Sequence, residues 1–145
     1  MLDENALFFA CSLIEYIGRM RKLKRYDVVE QLGPDVVSRM YRYADVLHSE
    51  PIERVADEFV QVGGIGKGLF DNVAACRYEV PDYWAIGAVY ARLAADVAEG
   101  DDGAEAMQAV YFSWISDALS NYNTDFYYQP RDYLAECFRA GEVLE

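Results

Sequence analysis

The sequence predicts an all-α fold: a compact single-domain bundle of about six helices over residues 1–145, with one Gly-rich irregular segment at 63–81. Three observations lead there. Apolar residues recur at three- and four-residue spacing along most of the chain, the period that places them on one helix face. These stretches are bounded by helix punctuation, with Asp or Ser ahead, Pro at the start and Gly behind. A chain of 145 residues that is 53% hydrophobic is also long and apolar enough to bury roughly two thirds of its unfolded surface in one core.

The first helix is expected to start at Asp3, whose carboxylate can accept from the free amides of the first turn, and to run to about Lys22. Its apolar positions, from Ala6 through Met20, cover more than one face, which places the helix inside the bundle. Its last turn carries Arg19, Arg21 and Lys22, which suit the negative end of the helix dipole. A short helix from about Tyr26 to Leu32 stops at Gly33, and Pro34 opens another in which Val37, Met40, Ala44 and Leu47 form one stripe. Ser49 is placed to cap the next, which runs past Pro51 through Ile52, Val55, Ala56 and Phe59 to Gly63 and Gly64. Within 63–81, Leu69 to Cys76 could hold a short helix and Arg77 to Val80 an extended piece. Asp82 caps a long helix striped by Ile86, Val89, Tyr90, Leu93 and Val97 and ending at Gly100. After a turn at Asp101, Asp102 and Gly103, the period resumes from Ala104 to about Asn121, so these two helices should form an antiparallel hairpin. Residues 121–129 read as a loop, and Pro130 opens a last helix to Gly141.

Charge divides the chain. Residues 1–48 hold seven basic and seven acidic residues, whereas residues 49–145 hold six basic and eighteen acidic, so the whole net charge of −12 belongs to the second part. Such a surface repels phosphate backbones and steers basic partners. The longest near-apolar run, Ala6 to Ile14, falls well short of the ~20 residues a membrane span needs. Asp3 and Glu4 precede that run where a secretory signal would carry positive charge, so a cytoplasmic location is expected. Cys11, Cys76 and Cys137 are odd in number and form no C-x-x-C pair, which argues for free thiols and against a zinc site. No cofactor and no metal are expected.

The motifs that invite chemistry fail in detail. In Gly63-Gly64-Ile65-Gly66-Lys67-Gly68, a P-loop would need Gly where Gln61 stands and Ser or Thr where Gly68 stands. The dinucleotide fingerprint would need Gly at Leu69 and a preceding strand. His48 is the only histidine and sits at a helix end, where an imidazolium meets the dipole. A Cys76, His48 and Asp71 arrangement rests on residue types alone. No catalytic residue is therefore assigned, and a non-enzymatic role is favoured over an enzymatic one without closing the question.

The segment Tyr122 to Tyr133 holds five aromatics in twelve residues, with amides and Arg131 among them. Tyr and Arg are enriched at the centres of protein interfaces. The bland alternative is that these rings cover the base of the bundle. Cys11 to Leu23, Asp71-Asn72-Val73-Ala74, Val80-Pro81-Asp82-Tyr83-Trp84 and Trp114 to Arg131 together resemble a small family of uncharacterised bacterial helical proteins. Some members of that family are encoded near toxin candidates that look like ADP-ribosyltransferases. The resemblance covers nearly the whole chain and carries no defined catalytic residue; it implies a bacterial cytosolic protein with an accessory or antitoxin-like role.

The expectation is a non-catalytic protein-interaction module whose partner is another bacterial protein with a basic surface. Tyr122, Phe126, Tyr127, Tyr128 and Arg131 would make the contact, and Asp101 and Asp102 would steer. The first alternative is a small-ligand-binding protein or enzyme with its pocket between His48 and the 63–81 loop. The second is a helix-turn-helix-like nucleic-acid binder using Arg19, Arg21, Lys22, Lys24 and Arg25, although nucleic acid is the poorer partner for an acidic chain.

Overall fold

A computed structural model describes all 145 residues. It is all-helical: α1 Glu4–Arg21, α2 Arg25–Leu32, α3 Pro34–Arg42, α4 Ala44–Leu47, α5 Ile52–Gly63, α6 Tyr83–Val97, α7 Gly103–Tyr111, α8 Ile115–Leu119 and α9 Arg131–Ala140, with one 3-10 turn at Phe126–Tyr128 and no strand. No helix is long and apolar enough to cross a membrane.

Caps place the ends where the sequence puts them. The Asp3 carboxylate accepts from the Ala6 amide at 3.0 Å and that of Asp82 from the Ala85 amide at 2.7 Å. Gly64 and Gly141 close α5 and α9 in the left-handed conformation that costs glycine little.

The helix count is nine against the expected six or so, because the short α2 stands as an element of its own and two long periodic stretches are interrupted. At Tyr43 the backbone leaves helical geometry (φ −106°, ψ 17°) and separates α3 from α4. At Ser113 the hydroxyl donates back to the Val110 carbonyl at 2.7 Å and accepts from the Ile115 amide at 3.2 Å, ending α7 and restarting the chain as α8. Ser49 does not cap α5: its hydroxyl donates to the Val46 carbonyl at 2.7 Å and closes α4. The segment 64–82 holds turns and bends but neither the short helix nor the extended piece expected.

The architecture is organised by α1 and α6, which pack antiparallel along their lengths. Gly87 makes the approach possible, because a Cβ there would stand 2.7 Å from Ser12 Cα and 2.8 Å from Ser12 N. Leu7, Leu13, Ile14 and Ile17 of α1 and Ile86, Tyr90 and Leu93 of α6 are fully or almost fully buried in one continuous core that α2, α3, α5, α7, α8 and α9 complete. Tyr90 stacks on Tyr111 at 4.2 Å, tying α6 to α7.

Candidate functional site

An all-round buried helix cannot leave a carboxylate unanswered, and Glu15 lies in the middle of α1 with its side chain fully buried. Its partner is Arg25, the first residue of α2, equally buried, with Nε donating to Glu15 Oε1 at 3.1 Å. Gly18 is what lets it in: a Cβ there would collide with the Arg25 side chain. The guanidinium also donates to the Leu23 carbonyl at 2.7 Å and, more weakly, to Asn72 Oδ1 at 3.5 Å, while Tyr111 donates to Glu15 Oε2 at 2.9 Å. Burial, the largest single effect, favours the neutral guanidine, but the charge and hydrogen bond of Glu15 together with the Tyr122 and Tyr90 phenols outweigh it and raise the Arg25 pKa above its ordinary value. Burial, reinforced by Glu15, pushes the Tyr90 and Tyr111 phenols and the Cys11 thiol up. They stay protonated, and none is an activated nucleophile.

This network opens on a cavity of about 530 Å³ between residues 69–75 and 117–123. Its floor is polar and buried: Asn72, which donates to the Ser120 carbonyl at 3.0 Å, together with Ser120 and Tyr122. Lys24 and Asp117 face each other across one wall at 3.9 Å, and Leu69, fully exposed, stands at the mouth.

Lys24 alone of the basic cluster lines this cavity, and its neighbours brace the segments around it. Arg21 donates to the carbonyls of Gly66 (3.1 Å) and Ile65 (3.2 Å), and the Gly68 and Phe70 amides donate at 2.9 Å to the last carbonyls of the α1 end, Arg21 O and Lys22 O. The glycine loop is therefore a remote cap for α1. Gly68 is required there, since a Cβ would approach Lys22 O to 2.6 Å. Lys22 is the one non-glycine residue with positive φ (56°), and its ammonium meets Asp71 at 3.2 Å. The Ala74 amide first, and then Lys22, hold the Asp71 carboxyl below its ordinary range. Arg19 donates to the Pro81 carbonyl at 2.6 Å and to the Tyr122 hydroxyl at 3.1 Å.

The tyrosine-rich segment divides. Tyr122 and Phe126 are core residues, with only 3% and 7% of their surface exposed, and Tyr127 is half-buried against Tyr122. Tyr128 alone is broadly exposed, at 66%. Arg131 makes a bidentate pair with Asp96, at 2.8 and 2.9 Å. The aromatic richness thus serves packing over α8 and α9 as much as surface.

Asp101 and Asp102 are exposed, and their roles differ. Asp102 caps α7, accepting from the Ala104 and Glu105 amides at 3.0 and 3.2 Å, whereas Asp101 makes an exposed ion pair with the Met1 amino group at 3.2 Å. With Glu99 and Glu105 they rim a cleft of about 440 Å³ at the α6–α7 corner, which residue types alone could not reveal because it needs α9 as its far wall. His48 is exposed at the end of α4 and lines neither cavity. Cys76 is occupied with the Tyr78 carbonyl, to which its Sγ donates at 3.4 Å. The structure brings neither of them into a catalytic pair, and no three His, Cys, Asp or Glu side chains stand together as a metal would need.

No family model, curated protein or solved structure matches this chain. Its class is accordingly defined by its own geometry: a nine-helix protein centred on α1 and α6, with a buried ion pair beneath a polar cavity and a carboxylate-rimmed corner.

Proposed function

We propose that this chain is a non-catalytic interaction protein of the bacterial cytoplasm, accessory or antitoxin-like in role, that binds a protein with a basic surface. The observation that carries the reading is the α6–α7 corner: Glu99, Asp101, Asp102 and Glu105 are all exposed, and no Lys or Arg side chain is paired with any of them. Like charge on one corner that only the Met1 amino group, at Asp101, offsets costs stability through repulsion and raises association rates with a positive partner. Arg131, paired with Asp96 on the C-terminal half of α6, and the exposed Tyr128 add to the contact surface in this reading, while Tyr122, Phe126 and Tyr127 act by holding that segment in place. The test is capture from the native host at graded salt, comparing the natural protein with a Glu99→Gln, Asp101→Asn, Asp102→Asn, Glu105→Gln variant. Asn is itself a good helix cap, so α7 survives the change. A stoichiometric partner retained by the first and lost by the second supports the reading, and equal retention by both overturns it.

A second reading, small-ligand binding, is favoured by one specific observation, the buried polar floor of Asn72, Ser120 and Tyr122 beneath the 530 Å³ cavity. This cavity borders the 63–81 loop but not His48. A metabolite panel that raises the melting temperature of the natural protein, but not of an Asp117→Asn, Asn121→Ala variant, would support it. The nucleic-acid reading has no such observation behind it, because Arg19, Arg21, Lys22 and Arg25 are engaged within the chain.

A further inference from the structure

The corner is a cleft with an apolar floor as well as a charged rim. Val97 and Ala98 at the end of α6, Ala106 and Ala109 on α7 and Phe138 on α9 form that floor, and its volume of about 440 Å³ exceeds that of a single large apolar side chain. Ala109 is exposed and lies one helical turn beyond Glu105, so floor and rim are adjacent on one face of α7. The neighbouring cation, Arg139, donates to the Asp96 carbonyl at 2.8 Å and neutralises none of the four rim carboxylates.

Resting on the interaction reading above, we infer that this cleft seats a cationic amphipathic segment of the partner protein: one large apolar side chain, Leu or Phe in size, flanked by Lys or Arg. The floor rewards the apolar group by removing it from water. The rim rewards the flanking cations, and an acidic or neutral segment would leave Glu99, Asp102 and Glu105, which have no cationic partner, facing a low-dielectric contact. A free cation or a polycation without an apolar anchor would use only the rim, with the weak, salt-sensitive affinity of exposed pairs.

The experiment uses two fluorescein-labelled peptides of Lys, Ala and Gly that differ only in a central Leu or Ser, titrated into the full chain and followed by anisotropy. Burying the leucine is worth about tenfold or more in affinity, so the Leu peptide should bind at least that much more tightly. Ala109→Trp, which fills the cleft from an exposed position, should abolish this advantage and leave Ser-peptide binding unchanged. In the natural protein, the methyl signals of Val97 and Ala109 should move with the Leu peptide and not with the Ser peptide; this readout holds even if the Trp variant does not fold. Equal affinities for the two peptides, or an advantage for Leu that survives Ala109→Trp, overturn the cleft proposal. If the host partner is captured through the rim charges while Ala109→Trp leaves that capture intact, the interaction reading stands and the cleft reading alone falls.

Discussion

Arg25→Met tests the buried network at its most exposed point of argument. The methionine stem can lie where the arginine stem lies against Gly18, so the change removes charge and hydrogen bonds with little loss of volume. Glu15, with no side-chain exposure, then keeps Tyr111 as its one hydrogen-bond donor, and the Leu23 carbonyl loses its guanidinium partner. Leaving one member of a buried pair uncompensated costs about 3–5 kcal/mol, a fifth or more of a stability of roughly 5–15 kcal/mol. With a urea slope of about 2 kcal/mol per molar, the unfolding midpoint should fall by about 2 M. The paired change Glu15→Leu, Arg25→Met removes both charges, and the double variant should recover most of the loss, since apolar replacement of a whole buried pair is often neutral. Equilibrium urea unfolding followed by circular dichroism measures both of these and the single variant Glu15→Leu beside the natural protein, and the double-mutant cycle gives the coupling. A loss below about 1 kcal/mol for Arg25→Met, or a double variant whose loss equals the sum of the singles, would refute the reading of this pair as buried and coupled.

Three further outcomes are expected. Gly87→Ala forces a Cβ against the Ser12 backbone and should cost about 1–3 kcal/mol or more through separation of α1 from α6, whereas Ala85→Ser on the exposed side of the same helix should cost little. Asp102→Ala should lower stability by about 1 kcal/mol by freeing the Ala104 and Glu105 amides, and Asp102→Asn should leave it nearly unchanged, both read from thermal melts. Burial raises the pKa values of Tyr90, Tyr111 and Tyr122 above the ordinary 10.0. The stability they contribute is thus fully present below about pH 10 and lost as pH rises beyond it. Tyrosinate absorbance from these three should appear together with loss of helix.

What the sequence made legible was whatever depends on local chemistry. The starts at Asp3, Asp82 and Pro34 and the stops at Gly33, Gly64 and Gly141 follow from caps and from glycine's tolerance of positive φ, and each is decided within a few residues. The breaks at Tyr43 and Ser113 are masked, because the apolar stripe continues through both although the backbone does not. The same limit hid the site. A lone carboxylate on an all-apolar helix, with a cationic cluster a few residues on, was a signal for the Glu15–Arg25 pair. The roles of Asn72, Ser120 and Tyr111 depend on contacts between residues about fifty to a hundred apart in the chain. Tyr122 and Phe126 have the composition of an interface and the burial of a core, and composition alone does not distinguish the two.

The division of charge along the chain acquires a physical meaning from where the cations go. Arg19, Arg21 and Arg139 spend their guanidinium groups on backbone carbonyls or a phenol, so they organise loops and neutralise no carboxylate. Of twenty-five acidic residues, five (Glu15, Glu50, Asp71, Asp96 and Asp117) meet a Lys or Arg side chain. The surface field is therefore that of many unpaired carboxylates, and salt acts on it within a Debye length of about 8–10 Å. Added salt relieves self-repulsion in the free protein and screens attraction to a basic partner, so it should raise the melting temperature while weakening the complex. A melting temperature that falls between low and moderate sodium chloride would mean that the ion pairs, and not the uncompensated carboxylates, dominate the electrostatics of the fold, and the acidic corner would lose its claim to be a surface kept for a partner.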